Sequence, residues 1–276
     1  MEGFLYFVHM ISRLLVIIFV SFSSCHSSFV LKTAGPSPGI ISGSQFYKTV
    51  AGLPREKREA IALKEILSGT IPSFLKQMVK IKISMIDSSG KSIHAYYYAM
   101  PDYLSIGSND DFARIPLTPN SAQVIADSFH CFLPTRKIVN DIYKQASVKL
   151  EPQPMFAFRD STPTFFQHHL IIEGQRKEQK GLIVGIKKDV VISDKLIRDA
   201  KKNRVAIYGW HKPDGKPIQP LYTGHVNWYI DYSHGVRLIY RTIWVDGKPM
   251  DYIDVMKHQI FKRLLCDEDV CDVYRY

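Results

Sequence analysis

Between Gln77 and Ile86 the apolar residues Val79, Ile81, Ile83 and Met85 recur at every second position. Successive strand side chains point to opposite faces, so this pattern writes a strand with one face turned to a core. Asp87-Ser88-Ser89-Gly90 then supplies turn residues before a second extended run, Ile93 to Met100, which predicts an antiparallel hairpin. A one-faced hairpin needs a cover. Pro54 followed by Arg55 to Leu67 and closed by Gly69, with Ala60, Leu63, Ile66 and Leu67 near helical spacing, predicts a helix suited to that role.

Pro119, with Thr118 before it, and Pro134 each stand where proline favours the start of a helix. Helices are expected over 119–131 and 134–146, with Cys131 at their junction. A third begins at Thr162-Pro163 and runs past His168 and His169 to Gly174. Neighbouring side chains on a helix diverge by ~100°, so at most one of those two histidines is expected inside. Strands are expected over 181–186, 190–192 and 204–210, and a loop over 211–223. Val236 to Val245 alternates, turns at Asp246-Gly247 and leads to a last helix from about Asp251 to Leu265. Helices and strands intermix without strict alternation, which predicts an α+β class: a mixed or antiparallel sheet with helices packed on it, in a single compact domain. At 276 residues and 46% apolar composition the chain has the material for that core.

The first 24 residues carry a different message. Arg13, the apolar run Leu14 to Phe22 and the small residues Ser23-Ser24-Cys25 follow the order of a secretory signal. That run is shorter than the ~20 apolar residues of a membrane span. Cys25 stands where a bacterial lipoprotein signal places its lipid-accepting thiol, and Phe22-Ser23-Ser24-Cys25 resembles a relaxed lipobox. The expectation is a signal peptide over 1–24, a Pro- and Gly-containing tether over 25–50, and a folded domain over 51–276. The address is exported, periplasmic or outer-surface, with membrane contact through a lipid on Cys25.

Four cysteines suit an oxidising compartment. Cys266 and Cys271 are close enough in sequence to bridge, and Cys131 is left over. The net charge of +10 is concentrated between Arg176 and Arg204. It favours polyanions, and outside the cytoplasm these are headgroups and wall or surface polymers rather than nucleic acid. A solvated basic face accounts for the same excess.

Chemistry concentrates in residues 225–237, where His225, Asp231, Ser233, His234 and Arg237 lie together. Three routes fit them. Ser233 or Cys131 is the nucleophile with His225 or His234 as base; or His225, Asp231 and His234 hold a catalytic zinc that activates water; or the histidines are structural and the nearby aromatics, Trp228 among them, form a glycan- or polyanion-binding face. Arg237, Lys188, His211 and Trp228 are the expected substrate contacts, with Arg237 or Lys188 holding an anion. An extended 229–234 would place Asp231 with Ser233 on one face and Tyr232 with His234 on the other. Asp231 with Arg237 also reads as an ion pair. The function expected is hydrolysis of a wall or surface polymer, at a peptide or amide bond.

Cys131, then a helix, then histidine on a sheet far downstream resembles the element order of the NlpC/P60 papain-like envelope peptidases. That resemblance implies Cys131 as nucleophile. From Pro101–Leu104 through Leu133–Lys137 to Tyr208–His211 and Asp231–Gly235, the chain also resembles a family of exported bacterial proteins, which implies one shared domain over about 70–265 and an envelope address.

Overall fold

The computed structural model describes residues 29–33, 35 and 41–276. The expected signal peptide over 1–24, Cys25 and residues 26–28, 34 and 36–40 of the tether lie outside the described residues. Gln77–Ile86 pairs antiparallel with Ser92–Ala99 from Val79↔Ala99 to Ile86↔Ser92, and Asp87 closes the turn by accepting from the Ser89 and Lys91 backbone amides. Arg55–Leu67 is helical. The class is α+β: eight helices among the described residues, with mostly antiparallel sheets.

The larger sheet runs in the order Phe29–Val30, Gln77–Ile86, Ser92–Ala99, Ile239–Tyr240 and Cys131–Phe132; the hairpin Thr242–Val245/Lys248–Asp251 joins it at Ser92–Ala99. A second sheet orders Pro217–Tyr222, Ala206–His211, Lys188–Val191 and His234–Gly235, and its last pair is parallel. One apolar cluster spans both, from Phe46, Ile66 and Tyr98 to Val190, Ile207 and Leu238.

The part of the expected tether that is described is folded. Phe29–Val30 pairs with Met78 and Gln77, and Gly43–Val50 is a helix, capped by Ser42, that buries Phe46, Tyr47 and Val50. Its Gly43 lies so close to the Phe112 backbone that a Cβ would stand 2.3 Å from the Phe112 carbonyl carbon.

Several elements differ from expectation: the helix from Pro119 ends at Ser128, and the run 236–245 is two short strands, Ile239–Tyr240 and Thr242–Val245. The helix expected from Pro134 starts at Arg136, because the Thr135 hydroxyl accepts from the Ile138 amide as its cap; Cys131 therefore sits in a strand opposite Tyr240. Residues 217–222 are a strand, since the turn at Asp214-Gly215 folds them back onto Ala206–His211. The last helix ends at Lys257, after Asp251 caps it, and a short 3-10 turn, Phe261–Leu264, follows. Cys266 and Cys271 form a disulfide beyond that turn. Among the described residues no helix is long and apolar enough to cross a membrane.

Candidate active site

Asp231 to His234 is a turn, closed by the His234 amide donating to the Asp231 carbonyl at 3.1 Å. A turn brings together side chains that an extended strand would separate. His234 Nε2 stands 4.0 Å from Asp231 Oδ1, and the Ser233 amide (2.9 Å) and hydroxyl (2.5 Å) both donate to that same oxygen. The other carboxylate oxygen accepts from Arg159 at 2.9 Å and from the Tyr229 hydroxyl at 3.4 Å. Asp231 thus pairs with Arg159 and not with Arg237. Burial pushes the Asp231 carboxyl up, but His234, Ser233 and Lys188 outweigh it and hold it below the ordinary carboxylate value.

The parallel pairing of His234–Gly235 with Lys188–Val191 sets His234 in register with Lys188. His225 approaches from the other side, its ring centroid 6.1 Å from that of His234 and 4.7 Å from Tyr229. These groups grade in depth: Arg159 is exposed, His225 and Tyr229 are half-buried, and Asp231, Ser233 and His234 are fully buried. Burial holds the His234 imidazole below its ordinary value against the pull of Asp231. His225 is lowered for the same first reason, with Lys188 and Arg159 adding to it and Asp231 opposing. Lys188 is lowered by burial as well. Neither nitrogen of the buried His234 has a hydrogen-bond partner among the described residues, where most buried polar atoms do.

Behind this cluster lies a second polar layer. The Lys187 ammonium donates to the Tyr232 carbonyl and stands 3.2 Å from His168 Nδ1; burial and Arg114 lower its pKa to about 7. Trp210, at φ 55 after a register shift in its strand, turns its ring towards the Lys188 ammonium at 5.2 Å. A left-handed tryptophan costs of order 1–3 kcal/mol, and such strain persists only where the surroundings impose it.

The segment 151–161 straps over both layers. The Met155 amide donates to the Tyr232 hydroxyl at 2.7 Å, the Tyr232 amide donates to the Arg159 carbonyl at 3.0 Å, and the Arg159 side chain reaches Asp231. Nothing in the spacing of 151–161 signals this role. Arg159 carries no signal in the sequence, because its partner lies 72 residues away.

The remaining expected site residues separate from this cluster. Cys131 is buried, its thiol donates to the Phe129 carbonyl at 3.3 Å, and burial alone pushes its pKa far up. A thiol held protonated in apolar packing is no nucleophile, so the thiol route fails. The Ser233 hydroxyl donates to Asp231 and not to His234, whose two nitrogens have no hydrogen-bond partner among the described residues, so the serine lacks the imidazole contact its route needs. For the zinc alternative, Asp231 already accepts from Ser233 and Arg159, and among the described residues no three His, Cys, Asp or Glu side chains are grouped to hold a metal ion. Arg237 is buried with its guanidinium donating to the Met100 and Ile183 carbonyls at 2.7 and 2.6 Å, over the Tyr103 ring, and is structural rather than an anion clamp. His211 stacks on Tyr143 and bonds Asn140 at 3.0 Å. Beside it, Lys187, Asp189, Trp210 and Arg237 enclose a cavity of about 10 Å³, the size of one water. Trp228 is exposed under Arg55. Both His168 and His169 are buried, against the expectation of at most one, because their helix is covered on two sides: His168 by Tyr232, His169 by Phe112 and Arg114. No family model, curated protein or solved structure matches the chain.

Proposed function

We propose that the protein is an exported hydrolase that cleaves an ester or phosphodiester link in an anionic wall or surface polymer. His234 is the base, Asp231 lies close enough to stabilise its protonated form, His225 is the partner acid, and Lys188 with Arg159 holds the anion. The observation that carries this reading is the buried His234, unpaired at both nitrogens and 4.0 Å from a carboxylate that is itself fixed by four donors. An imidazole kept neutral, without a hydrogen-bond partner and beside a carboxylate, is poised to take a proton. Export rests on the leader, and the Cys266–Cys271 disulfide suits an oxidising compartment.

The chemistry then follows from the charges. His234 removes a proton from water, whose oxygen forms a bond to phosphorus or to the acyl carbon. The bond to the leaving oxygen breaks, and His225 delivers its proton there. Two cations facing one carboxylate leave the site receptive to an anion, and an anion between the two imidazoles raises both pKa values towards the ordinary histidine range. Substrate enters as Arg159 exchanges Asp231 for the anion, which frees one end of the strap. The bond favoured is an ester rather than the amide expected from the sequence, because amide cleavage leaned on the thiol or the zinc.

The test is turnover of chromogenic phosphodiesters and carboxylic esters, and of wall polymer, by the purified protein. His234→Gln is expected to lower kcat at least 100-fold, the lower end of the ~10²–10⁴ that acid–base groups supply, with binding of the substrate kept. His225→Gln is expected to remove the alkaline limb of the pH profile, where a general acid loses its proton. Absence of turnover on every substrate overturns the reading, as does a His234→Gln variant of undiminished kcat. Loss of activity to a chelator with recovery on zinc also overturns it, in favour of a metal mechanism.

A further inference from the structure

The strap that covers the candidate site carries at its tip Met155-Phe156-Ala157-Phe158-Arg159, and its two phenylalanines are 92% and 81% exposed. Single exposed apolar residues need no explanation, but two rings held almost wholly in water one residue apart do. The tip is firmly presented. Met155 and Arg159 are pinned to Tyr232 from either side, and the Ser161 amide closes on the Phe158 carbonyl at 3.0 Å. Phe158 itself sits at φ 47, a conformation disfavoured for an aromatic residue.

A third ring belongs to the same face. Arg58 donates to the Asp160 carbonyl and the Thr162 hydroxyl at the base of the strap. One turn earlier on that helix, Arg55 lies 4.5 Å over the ring of Trp228, which is 53% exposed. The basic run Lys201-Lys202-Asn203-Arg204 is fastened beside Trp228, through the bridge of Arg204 to Val226 and the Asn227 amide donating to the Asn203 carbonyl. The segments 55–58, 155–160 and 201–204 carry seven Lys and Arg against the carboxylates Glu56 and Asp160; of the seven, Arg159 is also paired with Asp231 and Arg58 lies near Glu59.

We infer that this face, the Phe156/Phe158 tip with Trp228 and its basic flanks, docks on an anionic lipid bilayer. Apolar rings projecting from a fixed loop gain by entering the acyl boundary, while flanking Lys and Arg side chains meet anionic headgroups; tryptophan favours the interface between the two. A soluble polyanion would satisfy the cations and leave the phenylalanines in water, so the rings select the bilayer. The inference stands whether or not His234 is catalytic. It adds a contact separate from the lipid expected on Cys25.

The test is hydrogen exchange and co-sedimentation of the full chain with vesicles of phosphatidylcholine alone and of phosphatidylcholine with phosphatidylglycerol. Exchange is read at 153–160, so the apolar leader cannot imitate the signal. Anionic vesicles are expected to protect 153–160, and Phe156→Ser/Phe158→Ser to abolish that protection and weaken partitioning about tenfold or more, as the loss of two buried rings implies. Phe156→Leu/Phe158→Leu is expected to retain most of both effects. Lys201→Gln/Lys202→Gln is expected to weaken binding at low salt and flatten its salt dependence. Unprotected 153–160 on anionic vesicles overturns the inference, as does full protection in the Ser variant. Equal protection by a soluble glycerol-phosphate oligomer, insensitive to the Phe→Ser changes, overturns it in favour of a polyanion site.

Discussion

At the scale of single residues, the protein is distinguished by how much charge it buries. Arg114 and Asp102 are each 1% exposed and share two hydrogen bonds, and Glu173 reaches Arg114 from the helix above at 2.8 Å. Burial works against the Arg114 cation, and Asp102 and Glu173 outweigh it. Removing one partner from such a pair leaves an uncompensated charge, so Arg114→Leu is expected to cost about 3–5 kcal/mol in chemical denaturation. Replacing Arg114 and Asp102 together by apolar residues is expected to cost less than that single change. Equal losses in the two experiments would show that packing around Arg114, rather than its charge, sets the stability. In the sequence Asp102 and Arg114 were indistinguishable from surface charges, because pairing across 12 residues depends on a hairpin between them that only the fold supplies.

Among elements, the strand His234–Gly235 carries the site although it is two residues long. Gly235 lets it approach: a Cβ there would stand 2.5 Å from the Tyr103 ring and 2.7 Å from the Lys187 Cβ. Gly235→Ala is therefore expected to force these apart, destabilising the protein by about 1–3 kcal/mol. It also displaces His234 from Asp231, so turnover falls more than stability. A variant with wild-type melting and wild-type kcat would show that the strand has room to shift. The Thr135 hydroxyl is a comparable joint, capping its helix while donating to the Leu265 carbonyl. Thr135→Ala is expected to lower stability by about 1–2 kcal/mol, read as a shift of the denaturation midpoint. Long periodic elements were legible beforehand: the 77–99 hairpin, the helix from Arg55 and the cap at Thr118 follow from local chemistry. The 231–234 turn was not, since Tyr229, Ile230 and Tyr232 favour a strand while Asp231 and Ser233 favour a turn, and burial decides between them.

For the whole molecule, the buried histidines set the response to acid. His168 and His169 are lowered to about 2, first by burial and then by Lys187 and Arg114. A folded-state pKa below the unfolded one means that the unfolded chain binds protons first. Their contribution is intact above pH ~6.5 and is lost progressively below it, at up to about 1.4 kcal/mol per pH unit for each. Asp189, raised to about 6 by burial, opposes them between about pH 4 and 6, while His211 and His234, both lowered to about 4 by burial, act with them. Net stability is expected to fall steadily from pH 6.5 to 4, and His168→Gln/His169→Gln to flatten the slope. A denaturation midpoint flat across that range would contradict the assignment of neutral buried histidines. The C-terminal segment adds a second molecule-wide tie. The Tyr276 hydroxyl donates to the Val191 carbonyl and accepts from the Ala206 amide, and the Val273 amide reaches Asp194.

The sequence by itself determined the α+β class, the hairpin at its centre, and the clustering of His225, Asp231, Ser233 and His234, because alternation, capping and proximity along the chain act over a few residues. Tertiary structure decided which of those groups remain available for chemistry. Burial protonates Cys131 and commits Ser233, the backbone carbonyls of Met100 and Ile183 capture Arg237, and Arg159 arrives from a strap 72 residues away to pair with Asp231. Desolvation and long-range pairing depend on what surrounds a side chain in space, and spacing along the chain does not encode them.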